Sequence, residues 1–249
     1  SQTFSDFELI IVDDGSADAT ITKMAEYTGK GINYIRIKHN GVSGARNRAI
    51  QIAKGEYTAF LDSDDRWDRQ KLEKTRYYIK KFPDINIFHT DEIWYKNNKF
   101  LNQKKKHRRP SGYIYPNCLK LCCVGMSTSV VKSEIFDEIG FFDENLPACE
   151  DYDLWLRACC KYKVKLIPEA LTIKSGGRKD QLSNQPGLDK YRIYALKKII
   201  ESGLLNDEQS AITCFELINK CRIYAGGALK RGKVKEAQNY IQLAEKYKI

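Results

Sequence analysis

Tyr57-Thr58-Ala59-Phe60-Leu61-Asp62-Ser63-Asp64-Asp65 begins as a short apolar run and ends with three carboxylates in four residues. The run reads as a buried strand, so the carboxylates emerge together at its C-terminal end. Like charges this crowded repel one another, and a bound cation relieves that repulsion. Mg²⁺ or Mn²⁺, held by one or two carboxylates plus substrate phosphates, suits such a strand end. The same residues also suit a second use: Ser63, Asp64 or Asp65 would cap a helix starting near Asp68.

A second acidic strand end lies upstream. Phe7-Glu8-Leu9-Ile10-Ile11-Val12 runs into Asp13-Asp14-Gly15-Ser16, where Asp-Gly is also an ordinary turn dipeptide. Helical spacing over 19–29 and a strand over Ile32–Ile37 follow. Asn40-Gly41-Val42-Ser43-Gly44-Ala45-Arg46-Asn47-Arg48-Ala49 then opens a helix, with Ser43 as the expected N-cap and Ala45, Ala49, Ile52 and Ala53 as its apolar stripe. Arg46 and Arg48 stand against the helix dipole in its first two turns, which a phosphate or an acidic neighbour would offset. Strand, helix, strand, helix, strand predicts an α/β fold with parallel pairing.

The ordered blocks Asp13-Asp14-Gly15-Ser16, Gly41-Val42-Ser43-Gly44-Ala45-Arg46-Asn47 and Asp62-Ser63-Asp64-Asp65 resemble family 2 of the nucleotide-sugar glycosyltransferases. Gly140-Phe141-Phe142-Asp143-Glu144 and Glu150-Asp151-Tyr152-Asp153-Leu154-Trp155 continue the match, which covers about residues 1–200. The resemblance implies the GT-A fold: a Rossmann-like, mixed and mostly parallel sheet flanked by helices.

It also implies roles. Asp14, with Asp13 beside it, looks like the acidic residue that bonds the nucleotide base, and Arg46 like the basic residue near base and diphosphate. Asp62-Ser63-Asp64 resembles the DXD element that contacts ribose and a divalent cation, Mn²⁺ or Mg²⁺, with Asp65 sharing that duty. Asp151 resembles the general base that deprotonates the acceptor hydroxyl, for an in-line displacement with inversion. Glu150 and Asp151 are adjacent, so on a helix start they point about 100° apart and one of them faces the acceptor. The other caps the helix or binds the acceptor. The implied partners are a nucleotide-diphosphate sugar, a UDP-sugar first, and a glycan, lipid-linked or other hydroxyl acceptor.

Two departures from the family pattern stand out. Ser1-Gln2-Thr3-Phe4-Ser5-Asp6-Phe7 enters where the family has already completed a first strand and helix, a unit of about 30 residues. Residues 1–203 are therefore expected to be an N-terminally truncated transferase domain, with a C-terminal helical hairpin over 204–249. The second departure is Ser175-Gly176-Gly177-Arg178-Lys179, which resembles the family's late diphosphate loop but carries Arg178 where His is common. Arg keeps a permanent charge for phosphate. An ordinary solvated loop is the alternative.

Composition narrows the classes. Hydrophobic residues make 42% and charged residues 30%, within globular limits, and no run of 18 apolar residues exists. The eight cysteines form no pair of CxxC knuckles, so small buried hydrophobes in a reducing compartment are expected rather than a zinc site. The net charge of +10 peaks at Lys104-Lys105-Lys106-His107-Arg108-Arg109, after an expected hairpin over Ile93–Leu101. That run suits an anionic acceptor or an acidic membrane surface, while a solvated loop is the simpler account. No nucleic-acid motif accompanies it, so no nucleic-acid partner is expected. The expected location is cytoplasmic, with the inner face of the membrane as the alternative. A GT-A-fold nucleotidyltransferase and a non-catalytic scaffold acting through the helical tail are the two competing functions.

Overall fold

The computed structural model describes residues 1–27, 29, 31–104, 107–177 and 186–248. Strand β1 (Leu9–Asp13) pairs in parallel with β2 (Ile32–Arg36), on either side of helix α1 (Thr20–Ala25). The other edge of β1 pairs with no described strand, and Leu9 is 41% exposed although its run is wholly apolar.

Helix α2 (Gly41–Ile52) begins earlier than expected. Its N-cap is Asn40, and Gly41 takes φ +78°, a left-handed turn that glycine adopts without a Cβ clash. Ser43 therefore does not cap the helix. It lies buried in the first turn, with no hydrogen-bond partner for its hydroxyl.

The main sheet runs in the order β3 (Tyr57–Ala59), β7 (Ser129–Lys132), β5 (Ile87–Lys96), β8 (Val164–Gly176), β4 (Arg66–Trp67). β3 and β4 lie at opposite edges, so residues 60–65 cross the width of the sheet and carry the carboxylates over its centre. The sheet is mixed: its longest pairing, β5 with β8, is parallel, and the shorter pairings to β3, β4, β6 (Lys99–Leu101) and β7 are antiparallel. β5 turns into β6 through Asn97 and Asn98, both at positive φ, as a two-residue hairpin requires. Gly177 packs on that turn at φ +107°, where a Cβ would stand 2.0 Å from Asn97 Oδ1.

β8 is longer than the strand expected over Ala170–Lys174. Its register against β5 jumps from Thr90↔Ile167 to Asp91↔Ala170, so Pro168 and Glu169 form a bulge. Proline has no N–H for the ladder, and the bulge lets the strand pass it.

Helix α3 (Lys71–Lys81) follows β4, three residues later than Asp68. Helices α4 (Tyr115–Lys120) and α5 (Ile135–Ile139) flank α6 (Glu150–Cys159), whose residues 152–159 are all buried. Trp155, Leu156 and Phe136 anchor the main core with Leu196 of α7 (Asp189–Glu201). The C-terminal helices α8 (Asp207–Lys230) and α9 (Val234–Lys246) form the expected hairpin around Gly232. Asn206 and Gln209 make a capping box at its start. Leu217 and Cys221 of α8 belong to the same buried cluster as Trp155, and Tyr115 bonds Thr213 at 2.7 Å.

Candidate active site

Arg46 is the centre of the site. It projects from the second turn of α2 and is almost buried, its side chain 11% exposed. Nη2 donates to Asp62 Oδ1 and Nη1 to Glu150 Oε1, each at 2.7 Å. The planar guanidinium suits this fork, since its donors are fixed in direction. Burial opposes the charge of Arg46, but Asp62 and Glu150 more than restore it and raise its pKa. The acidic neighbours offset the helix-dipole cost that the sequence exposed.

Asp62 follows β3, and its N–H donates to Ser127 Oγ at 3.1 Å. Ser127 also accepts Trp67 Nε1–H and the Thr172 hydroxyl through its carbonyl, so the acidic turn is pinned to the sheet. Burial alone would raise the Asp62 carboxyl, but Arg46 overcomes it and holds the group below its ordinary range. Asp65 is buried, and Oδ1 accepts the Ser175 N–H at 3.1 Å. Its Oδ2 has no hydrogen-bond partner, with Lys174 Nζ 3.6 Å away. Burial pushes this carboxyl up, against the pull of Lys174. Asp64 lines a small opening of about 240 Å³ with Tyr95, Asn97 and Ser175.

These carboxylates fit a hard divalent cation. They offer oxygen donors only, and Asp65 Oδ2 is a buried oxygen with no donor on it. Among the described residues no group of three or more His, Cys, Asp or Glu converges tightly enough to hold a metal unaided. One or two carboxylates completed by substrate oxygens is the way Mg²⁺ is commonly held.

Glu150 and Asp151 open α6, where acid at the N-terminus suits the helix dipole. Cys149 before them is left-handed at φ 63°, an uncommon conformation for a residue with a Cβ. The turn separates the two carboxylates. Glu150 is buried against Arg46; burial and the neighbouring Asp151 raise its pKa in spite of that pairing. Asp151 is half-buried, its Oδ1 accepting the Tyr152 N–H at 2.7 Å and its Oδ2 facing Cys122 Sγ at 3.2 Å.

Asp13 and Asp14 diverge. Asp13 is buried, and hydrogen bonds from Ser16 and from the Tyr34 hydroxyl occupy its two oxygens and hold it below the usual range. Asp14 is half-buried and accepts the Asn40 N–H at 2.7 Å, with His39 Nδ1 2.8 Å from its other oxygen. It thereby ties β1 to the start of α2. Arg178 lies outside the described residues. A larger cleft, about 490 Å³, opens beside α2 and is lined by His39, Asn40, Asn47, Arg48 and Glu144. None of the carboxylates at 62, 64, 65, 150 and 151 lines it.

The family model for glycosyl transferase family 2 matches residues 1–140, more than half of the chain. The chain belongs to that family. An uncharacterized glycosyltransferase of Rickettsia felis is 32% identical over 179 residues, covering 69% of this chain and 28% of its own length. The Escherichia coli UDP-Glc:alpha-D-GlcNAc-diphosphoundecaprenol beta-1,3-glucosyltransferase WfgD is 33% identical over 159 residues, covering 62% of this chain and 59% of its own. The chain thus spans less than two thirds of these relatives' length. Among solved structures, Staphylococcus aureus TarS 1-349 in complex with UDP-GlcNAc superposes with a TM-score of 0.72 at 16% identity. That match covers 99% of this chain and 84% of TarS 1-349. The likeness shows the GT-A fold.

The structure also gives contacts to residues for which the sequence motifs carried no role. Asn47 Nδ2 donates to Phe142 O at 2.9 Å and Glu144 Oε1 at 2.8 Å, and its Oδ1 accepts the Phe142 N–H at 2.9 Å. Asn40 reaches the other Glu144 oxygen at 2.9 Å. Arg157 pairs with Asp153 and donates to the carbonyls of Ile139, Gly140 and Phe141. The block at 140–144 is therefore clamped between α2 and α6. Cys122 and Lys174 had no signal beyond their positions near other motifs. All eight cysteines are free; Cys118, Cys159, Cys214 and Cys221 are buried, whereas Cys122, Cys123, Cys149 and Cys160 are half-buried.

Proposed function

We propose that this glycosyltransferase moves a sugar from a nucleotide-diphosphate donor to an acceptor hydroxyl by a single displacement with inversion. The observation that carries the reading is the division between Glu150 and Asp151. Arg46 neutralises Glu150 and fixes it beside Asp62. Asp151 lies outside that pair, half-buried, with a weak thiol donor on Oδ2. An incoming hydroxyl displaces the Cys122 S–H from Oδ2, and Asp151 takes the hydroxyl proton there as the oxygen attacks the anomeric carbon.

Asp64, Asp62 and Asp65 would hold Mn²⁺ or Mg²⁺, which when bound neutralises charge on the departing diphosphate. Asp14 is assigned to the base, with Asp13 shaping the turn beneath it, and Arg178 to the diphosphate. A UDP-sugar donor is supported by the UDP-GlcNAc on TarS and the UDP-Glc in the name of the E. coli relative. That name also supports a lipid-linked diphosphate glycan as acceptor. Among the described residues no helix is long and apolar enough to cross a membrane. Peripheral contact of the basic run at 104–108 with an acidic membrane surface at its cytoplasmic face would bring such an acceptor within reach; Arg109 is buried against Glu92, and Lys105 and Lys106 lie outside the described residues. The division into a transferase domain over 1–203 and a hairpin over 204–249 belongs to the same proposal.

The test is a panel of nucleotide sugars with Mn²⁺, Mg²⁺ or EDTA, with the anomeric configuration of the product read by NMR. Metal-dependent transfer with inversion supports the proposal. Pyrophosphate turnover with sugar phosphates would assign the chain to nucleotidyl transfer, and silence throughout would leave the scaffold role.

A further inference from the structure

Two buried carboxylates at the centre of the sheet each keep one oxygen without a hydrogen-bond partner: Asp65 Oδ2 and Glu92 Oε2. Both side chains are 1% exposed. Asp65 Oδ1 is taken by the Ser175 N–H, and Glu92 Oε1 by Trp94 Nε1–H and Arg109. Glu92 has Arg109 as its paired cation, whereas the buried Asp65 Oδ2 has no donor on it, an arrangement that is costly unless a cation stands near.

Lys174 is that cation. It lies on β8 opposite Trp94 of β5, and its Nζ is 3.6 Å from Asp65 Oδ2, within ion-pair reach but beyond a hydrogen bond. Burial opposes its charge, and Asp65, Glu92, Asp62 and Asp151 sustain it in that order. One ammonium therefore feels the carboxylates of both acidic blocks. Its side chain is 35% exposed, in contrast to the 11% of Arg46, which is locked at 2.7 Å on two partners. Lys174 has a flexible stem and room to move toward an entering ligand, which the Arg46 fork lacks.

We propose that Lys174 is the resident counter-cation of this site: it competes with a divalent cation for Asp65, and it offers a nucleoside diphosphate a contact that needs no metal. The first half rests on the proposed metal ligand Asp65 and the second on the donor site proposed above. Were Asp65 to hold a divalent cation, the Lys174 ammonium would be released from it and could turn to the phosphate oxygens. Without metal, the ammonium serves as the cation under the diphosphate.

The experiment uses the full chain as wild type, Lys174→Gln and Lys174→Arg, with thermal melts to compare folding. Mn²⁺ alone is titrated by electron paramagnetic resonance of the free ion, and UDP by calorimetry in EDTA. Lys174→Gln should bind Mn²⁺ about three- to tenfold more tightly and UDP in EDTA about tenfold more weakly, the scale of one charge-assisted contact. Lys174→Arg should stay near wild type in both. Unchanged or weaker Mn²⁺ binding by Lys174→Gln overturns the competition, and unchanged metal-free UDP affinity overturns the diphosphate contact. Wild type alone gives a further check, because UDP binding that vanishes in EDTA overturns the contact even if Lys174→Gln does not fold. If UDP binds to wild type under no condition, the donor reading has failed, and the Mn²⁺ comparison still decides the competition.

Discussion

Arg46 and Glu150 are 104 residues apart in the chain and meet at 2.7 Å, with the second guanidinium nitrogen on Asp62 at the same distance. One side chain thereby joins the glycine-rich block, the strand-end aspartates and the start of α6. Three motifs that are separate in sequence become one electrostatic unit, in which the charge of each carboxylate depends on the same guanidinium.

Replacing Arg46 tests that unit. Arg46→Met leaves Asp62 and Glu150 facing each other without compensation, and should destabilise the chain by about 3–5 kcal/mol, the usual scale for breaking a buried pair. Arg46→Lys should recover only part of this, because an ammonium lacks the planar fork that spans both partners. Urea unfolding of the three proteins measures the effect. A loss below about 1 kcal/mol for Arg46→Met, the surface-pair range, would show that the bridge is not a structural hub.

Asp151→Asn keeps size and removes the basic oxygen. Donor affinity should survive while transfer falls by about a hundredfold or more, the range of a lost acid–base group. Glu150→Gln should weaken the hold on Arg46 and act more mildly on turnover. Parallel assays of transfer and donor binding decide. Near-normal turnover in Asp151→Asn with a dead Glu150→Gln would move the base to Glu150.

Asn47 has no charge, yet it makes three hydrogen bonds to the 142–144 segment. Asn47→Ala should cost about 1–3 kcal/mol, since Phe142 loses a donor and an acceptor in a buried place. It should also loosen Glu144, which hydrogen bonds from Asn47 and Asn40 hold below its ordinary pKa. Equal urea midpoints for variant and wild type would refute the clamp.

Two buried bases set the pH response. Lys71 is fully buried, bonded to Thr128 O at 2.9 Å, and burial lowers its pKa from 10.5 to about 7. Between those values the unfolded chain holds a proton that the folded chain has lost, so this group makes stability rise with pH from about 7 to 10.5. Lys71→Met should remove that rise. His89 is likewise buried, and burial lowers its pKa from 6.5 to about 3. Its contribution is complete above 6.5 and lost as pH falls toward about 3. Chemical denaturation across pH 3–10.5 checks both windows; a slope in the upper window that Lys71→Met leaves unaltered contradicts the assignment.

The order of strands and helices through β3 was legible in the chain because it is a local property, whereas β4 at Arg66–Trp67 was not expected. Apolar runs closed by acids or Gly mark strand ends, and the Gly232 break marks a helical hairpin, without reference to distant residues. The acidic strand end and the Glu150-Asp151 pair were legible for the same reason. The β8 bulge was not, since Pro168 interrupts the pattern that the β5 ladder restores across it.

Tertiary structure alone decided which partners each of the like residues meets. Asp13 and Asp14 are chemically equivalent neighbours, yet Tyr34 and Ser16 enclose one while the N-terminus of α2 takes the other. Glu150 and Asp151 differ by one methylene, and the turn of α6 sends the first to Arg46 and the second toward Cys122. Lys174 is one lysine among many in the chain until β8 sets it beside Asp65. Charge and size are written in the sequence, but burial and the nearest opposite charge are relations between distant segments. Those relations fix the protonation and reach of each group, and they exist only once the sheet and its helices have closed.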